Sequence, residues 1–202
     1  MEQYDIEITA LSPLHLGSGR ADIVIDAEIV HDKFGLPYFP AKRFKGLLYE
    51  SALEMAEISH NRWFSVDDIK RLFGQKDTEE SGFSIENFYL ENYDVLREDW
   101  EYLQKVYPNI FTRTAVLESY TDIRYQTSIE VTTGTTKEAS LHNMRVVDAG
   151  TKFIGTINLK IDSDINKRII EYGLKNLRFA GAKRTRGCGA IKCSIKKRSA
   201  FK

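Results

Sequence analysis

Cysteine is nearly absent: Cys188 and Cys193 are the only two in 202 residues. Together with the scattered His15, His31, His60 and His142 they cannot supply four ligands at finger spacing, so neither a structural zinc nor a disulfide is expected. Long apolar runs are missing too. None reaches the roughly 18 residues that span a bilayer, and the opening MEQYDIEITA lacks the basic-then-apolar pattern of a secretory signal. A cytoplasmic location without membrane contact is the expectation. No tandem repeat of roughly 20 to 50 residues is visible, which excludes a solenoid. Net charge is absent as well: 29 Lys and Arg balance 29 Asp and Glu, an argument against a generic nucleic-acid coat.

The distribution of charge argues otherwise. Residues 1–60 carry ten acids against five bases and residues 161–202 carry twelve bases against three acids, net charges of −5 and +9. Such asymmetry implies an acidic face that docks a basic neighbour and a basic face that grips a phosphate backbone. The basic half culminates in Gly181-Ala182-Lys183-Arg184-Thr185-Arg186-Gly187-Cys188-Gly189, just before an alternating strand. Glycine allows positive φ and close approach to a ligand, while Lys and Arg neutralise phosphate. The order is not that of a Walker loop, whose Lys and Ser/Thr follow the last glycine, so a polyanion suits this loop better than a mononucleotide. A solvated hairpin is the competing reading.

Tyr4, Ile6, Ile8 and Ala10 alternate with polar residues, the period of a half-buried strand, which ends at the turn Leu14–Gly19. A second apolar run, Ile23–Val30, stops at His31–Gly35. From Ala41 the period becomes helical, with Phe44, Leu47, Leu48, Met55 and Ile58 on one side and Lys42, Arg43 and Lys45 crowded into the first turn. Cations there oppose the helix dipole at a cost of about a few tenths of a kcal/mol each. Bound phosphate would offset that cost by using the unpaired N–H groups of the helix start; a tolerated surface cluster is the alternative. Val66–Phe73 reads as a short helix ended by Gly74, and Trp100–Val106 as another stopped before Pro108. The charged stretch Gln75–Gly82 reads as a loop, and the polar stretch Arg124–Leu141 as an extended hairpin arm. Arg145–Val147 and Phe153–Ile161 follow as strands, with Phe153, Ile157, Leu159 and Ile161 inward. Asp164 is the expected cap of a last helix, and Gly189, Ile191, Cys193 and Ile195 alternate as the closing strand.

This order implies an α+β fold of ferredoxin-like or RNA-recognition-motif topology, an antiparallel sheet backed by helices. The core is expected at about 1–58 and 142–198 of a single domain spanning 1–202, with insertions at about 59–141. The strands lack the aromatic signature that stacks bases in ordinary RNA-recognition motifs, so RNA contact falls to loops and helix ends.

Four features stand in sequence: Leu14–Gly19, then Leu36-Pro37-Tyr38-Phe39-Pro40-Ala41-Lys42-Arg43-Phe44-Lys45-Gly46, then Arg71-Leu72-Phe73-Gly74, then the Gly181–Gly189 loop. In that order they resemble the RAMP superfamily of CRISPR systems, and most closely the small backbone subunits of type III effector complexes. The chain departs from the family pattern at Ala41, Lys42 and Arg43, where small Gly and Ser are commoner. The resemblance implies a guide-RNA-binding subunit in antiviral defence, contacting guide and target RNA, other subunits and further copies of itself. It further implies a thumb-like hairpin over Gln126–Thr136, with Arg124 at its approach. RNA-binding roles are implied for Lys42, Arg43, Lys45, Arg124, Gly181, Lys183, Arg184, Arg186, Gly187 and Gly189.

The same resemblance implies an endoribonuclease acting on target RNA through Asp26, with Asp22 as the fallback. No structurally bound cofactor is implied. A lone carboxylate beside a phosphate acts either by holding a divalent ion such as Mg2+ or by orienting the attacking 2′-hydroxyl. The plain alternative makes Asp26 a solvent-facing strand residue. A stand-alone, metal-independent processing endoribonuclease centred on His15 is a second reading, and a non-catalytic scaffold or capping subunit a third.

Overall fold

Strand β1 (Glu2–Ala10) buries Tyr4, Ile6, Ile8 and Ala10 and turns Gln3, Asp5, Glu7 and Thr9 to the opposite face. It lies at the centre of an antiparallel sheet, flanked by β6 (Lys152–Leu159) and β7 (Ile191–Lys197). Two short strands, β2 (Phe83–Ile85) and β3 (Tyr89–Leu90), share the outer edge of β6, giving the order β2-β6-β1-β7. The computed structural model describes residues 2–21, 25–74, 81–127, 141–160 and 163–197.

Helices α1 (Ala41–Ile58) and α5 (Asp164–Asn176) pack against each other and against this sheet. Phe44, Leu47, Leu48, Ser51, Ala52 and Ala56 recur at the helical period and form the buried face of α1. Gly173 lets the two helices approach closely, for a Cβ there would stand 2.9 Å from Leu48 Cδ1, and Ser51 Oγ donates to the Gly173 carbonyl at 2.8 Å. The connectivity β1-α1-β2-β6-α5-β7 with this strand order is the ferredoxin-like arrangement.

The start of α1 is locked by aromatic packing. Phe39, Phe44, Phe88 and Phe153 meet mostly edge to face, with Phe44 and Phe88 centroids 4.5 Å apart and Phe39 to Phe153 at 6.3 Å. Pro40 disfavours helix at Phe39, so α1 begins at Ala41, whose N–H is capped at 2.9 Å by the Asn87 side chain.

The insertions hold α2 (Val66–Phe73), α3 (Tyr93–Val106), α4 (Arg113–Glu118) and a separate two-stranded sheet of β4 (Thr121–Gln126) and β5 (His142–Val147). Helix α2 matches its sequence limits because both punctuation marks are local: a Ser65–Asp68 capping box and Gly74 at φ 81°. Helix α3 starts at Tyr93 rather than Trp100; Tyr93, Leu96 and Trp100 recur at helical spacing and pack half-buried against the core, and the first turn of that period falls among the charged residues Asp94 and Arg97. Two further expectations change. Ser163, not Asp164, caps α5, its hydroxyl accepting from the Asn166 N–H at 3.2 Å. The core sheet takes β2 from within 59–141 and leaves β5 to the second sheet, because a three-residue edge strand is too short to show alternation. The expected hairpin tip and the inward position of Ile161 lie outside the described residues. Among the described residues no helix is long and apolar enough to cross a membrane.

Gly155 sits opposite Ile6 in register, beneath the Phe88 ring. A Cβ there would stand 2.4 Å from Phe88 Cδ1, so Gly155→Val is expected to lower stability by about 1–3 kcal/mol, measurable by urea unfolding.

Candidate nucleic-acid interface

The basic loop is held by its backbone to the turn after β1. Gly189 N–H donates to the Pro13 carbonyl at 2.9 Å and Ala182 N–H to the His15 carbonyl at 3.2 Å. Gly181 (φ 74°) and Gly189 (φ 82°) are required by this closeness: a Cβ would stand 2.3 Å from the His15 oxygen and 2.2 Å from the Ala180 oxygen respectively. Their bareness therefore serves packing of the chain on itself. Gly187 is also left-handed, at φ 74°, but faces open space. Between these glycines Arg184–Arg186 form a single tight turn that leaves Lys183, Arg184 and Arg186 exposed.

Two clefts open on either side of a ridge made by His15, Asp26, Ala27 and Ala182. The first, about 610 Å³, brings Arg43 from the start of α1 together with Arg184 and Arg20. Arg43 is pre-set there, its Nη2 donating to the Gly17 carbonyl at 2.8 Å. The second, about 420 Å³, is lined by Lys183, Arg186 and His142. Arg186 Nη1 reaches Gln126 Oε1 at 3.5 Å.

Lys42 and Lys45 take no part in either cleft. They point to the far side of α1 and line a third cleft of about 790 Å³ with Lys70 and Tyr49. The cause is helical geometry, because residues 42, 45 and 49 share one side of α1 while 43 and 47 share another. Burial, and then the neighbouring Lys160, pushes the Lys45 ammonium below its ordinary pKa, and its Nζ lies 5.3 Å from the Phe83 ring centroid. Arg124 also stands apart, with Nη1 3.7 Å from Cys188 Sγ. The implied RNA-binding cations thus fall on separate surfaces.

Asp26 is surface-exposed at 58 % but not idle. Its backbone N–H donates to Asn143 Oδ1 at 2.8 Å and its Oδ2 accepts the Asn143 N–H at 2.8 Å, tying it to β5. Asp22 lies outside the described residues. His15 is 7 % exposed, and its Nδ1 donates to the Arg145 carbonyl at 2.7 Å. Its Nε2 stands only 2.7 Å from where a Cβ on residue 17 would lie, so Gly17 makes room for the ring.

Beneath the ridge lies a pair that sequence reasoning missed. Arg145, 2 % exposed, pairs with Glu28 at 3.0 Å through Nε and donates to Thr121 Oγ1 at 3.1 Å through Nη1. Separated by 117 residues, Arg145 and Glu28 leave no local signal in the chain. Nor do Asn143 and His142, which meet Asp26 only through the fold.

A divalent ion is poorly served by these donors. Among the described residues no group of three or more His, Cys, Asp or Glu comes together, Glu28 is engaged by Arg145, and Asp26 keeps only Oδ1 without a protein donor.

The sheet is ferredoxin-like, and its C-terminal glycine-bounded basic loop docks on the turn after the first strand. The chain belongs to the RAMP superfamily, whose family model matches residues 7–192. It is similar in fold to a chain of the Type III-B Cmr-beta complex bound to cognate target RNA, solved by cryo-EM, with TM-score 0.70 and 16 % identity over 96 % of both chains. A chain of the apo state of Type III-B Cmr-beta gives TM-score 0.66 and 15 % identity, again over 96 % of both. No curated protein matches the chain.

Arg145→Ala would leave the partly buried Glu28 with only the Ile29 N–H as donor, and a loss of about 1–3 kcal/mol is expected in chemical denaturation. Gly181→Ala is expected to destabilise more than Gly187→Ala, since both strain φ but only the first meets a carbonyl.

Proposed function

We propose that this RAMP chain is a guide-RNA-binding backbone subunit of a type III CRISPR effector ribonucleoprotein, in contact with guide RNA, target RNA, neighbouring subunits and further copies of itself. The observation that carries this reading is the meeting of Arg43 and Arg184, from a helix start and a C-terminal loop, in one open cleft. Two guanidiniums spaced around such a cleft suit the phosphates of a nucleic-acid strand, and contacts of this kind read backbone rather than sequence. The fold likeness to a chain of a complex bound to cognate target RNA supports the choice of RNA.

Asp26, on the ridge between the two clefts, is assigned to cleavage of bound target RNA through its open carboxylate oxygen. His15 is better suited to structure than to chemistry, because one ring nitrogen is committed to a buried carbonyl and the other faces Gly17.

Titration of a guide-length RNA against salt, followed by fluorescence anisotropy, tests the binding. Affinity is expected to fall steeply with salt, and Arg43→Ala and Arg184→Ala are each expected to lower the log–log slope by about one. A shallow slope for the parent chain would favour a pure scaffold. Asp26→Asn in the assembled complex is expected to abolish target cutting and leave guide binding intact; unchanged cutting would place the chemistry elsewhere.

A further inference from the structure

We propose that the cleft beside the Arg43 and Arg184 site, formed by the middle of α1 and the segment that leaves α5, is a pocket for one guanine base of the bound strand. The inference rests on the RNA-binding reading above and deepens it.

This cleft, about 290 Å³, is lined by the buried Ser51 and Leu177 and by the exposed Glu50, Glu54, Arg178 and Phe179. It shares Leu47 and Arg184 with the cleft that holds Arg43, so the two adjoin. A strand with a phosphate at Arg184 therefore has a base within reach of it.

The open hydrogen-bonding groups are mostly acceptors. Asn176 spends its amide N–H groups on Ser51 Oγ at 3.2 Å and Glu54 Oε2 at 2.8 Å, which fixes the side chain and leaves Oδ1 as its open atom. Among the described residues Asn176 Oδ1, Glu54 Oε1 and both oxygens of Glu50 take no donor, and Arg178 forms no ion pair with either carboxylate. Glu50 and Glu54 stand one turn apart on α1 and repel each other, so the helix itself gains nothing from the pair. Phe179 leaves its ring 45 % exposed in the same cleft.

These parts select a class of ligand. Arg178 and Arg184 disfavour a cation, and Glu50 and Glu54 disfavour a bare phosphate. A neutral, flat group carrying both donors and acceptors satisfies both signs, and it stacks on an exposed aromatic ring such as Phe179. Among the bases guanine matches best: the hydrogens of N1 and the 2-amino group, three in all, answer the acceptors, while O6 and N7 take an arginine. Adenine turns its N1 lone pair toward the same carboxylates, and cytosine and uracil bring fewer hydrogens. Phosphate contacts then carry the affinity of the strand, and the pocket adds a preference at one position.

The test is fluorescence anisotropy on the full chain with a labelled oligouridine and with the same oligomer carrying one internal guanosine, inosine, adenosine or cytidine. On oligouridine the chain is free to shift register and seat the substituted base. Guanosine is expected to tighten Kd about tenfold, inosine, which lacks the 2-amino group, about threefold, and adenosine or cytidine less than about twofold. Glu50→Ala and Arg178→Ala, both at exposed positions, are each expected to bring the guanosine oligomer to within about twofold of the adenosine one. Equal Kd for guanosine and adenosine in the parent, or a guanosine preference that survives both substitutions, would overturn the pocket. A parent chain that binds none of the oligomers would instead sink the RNA-binding reading itself, and the pocket with it.

Discussion

Residues Pro13–Gly17, a short turn after the first strand, bond to every part of the chain that meets at the candidate interface. Pro13 and His15 carbonyls accept from the basic loop, Leu14 exchanges both backbone bonds with Val147 at 2.9 Å, and the His15 ring donates to the Arg145 carbonyl. Leu16 accepts from Val30, and Gly17 from Arg43. Each bond is worth only about 1 kcal/mol net, yet leaving any of these buried groups unmatched would cost about 1–3 kcal/mol. The turn is therefore satisfied in one arrangement, and that arrangement places the start of α1, the basic loop and β5 around a common ridge.

Electrostatics adds a second constraint beneath the first. The Arg145–Glu28 pair, its arginine buried and reinforced by Thr121, clamps the segment carrying Asp26 onto the strand carrying Asn143 and His142. Such a pair adds little net stability, because desolvation offsets most of the attraction, but it penalises any register that separates its members. Glu28 lines the first cleft but is engaged there by Arg145, so the cations Arg20, Arg43 and Arg184 face Asp26 in that cleft.

Legibility in the sequence followed range. Strand β1, the buried face of α1, the capping box of α2 and the closing strand were readable because their signals lie within a few residues. The limits of α3 were not, since its apolar stripe of Tyr93, Leu96 and Trp100 is only half-buried and interleaved with charge. Glycines 181 and 189 were legible as special but not in purpose: their missing side chains admit the protein's own carbonyls. The three cations of the α1 start looked like one patch in the chain. One hundred degrees of rotation per residue sends Arg43 to one cleft and Lys42 and Lys45 to another.

By itself the sequence determined the fold class, the sign and location of the charged regions, and the family pattern, because period, composition and glycine placement act locally. Only the tertiary structure decided which cations share a surface, that Asp26 stands beside His142, and that Arg145 neutralises Glu28. These are meetings of residues far apart in the chain, 117 positions for Glu28 and Arg145, or of neighbours on opposite sides of one helix, and such distances are set by packing, which no local pattern of residues records.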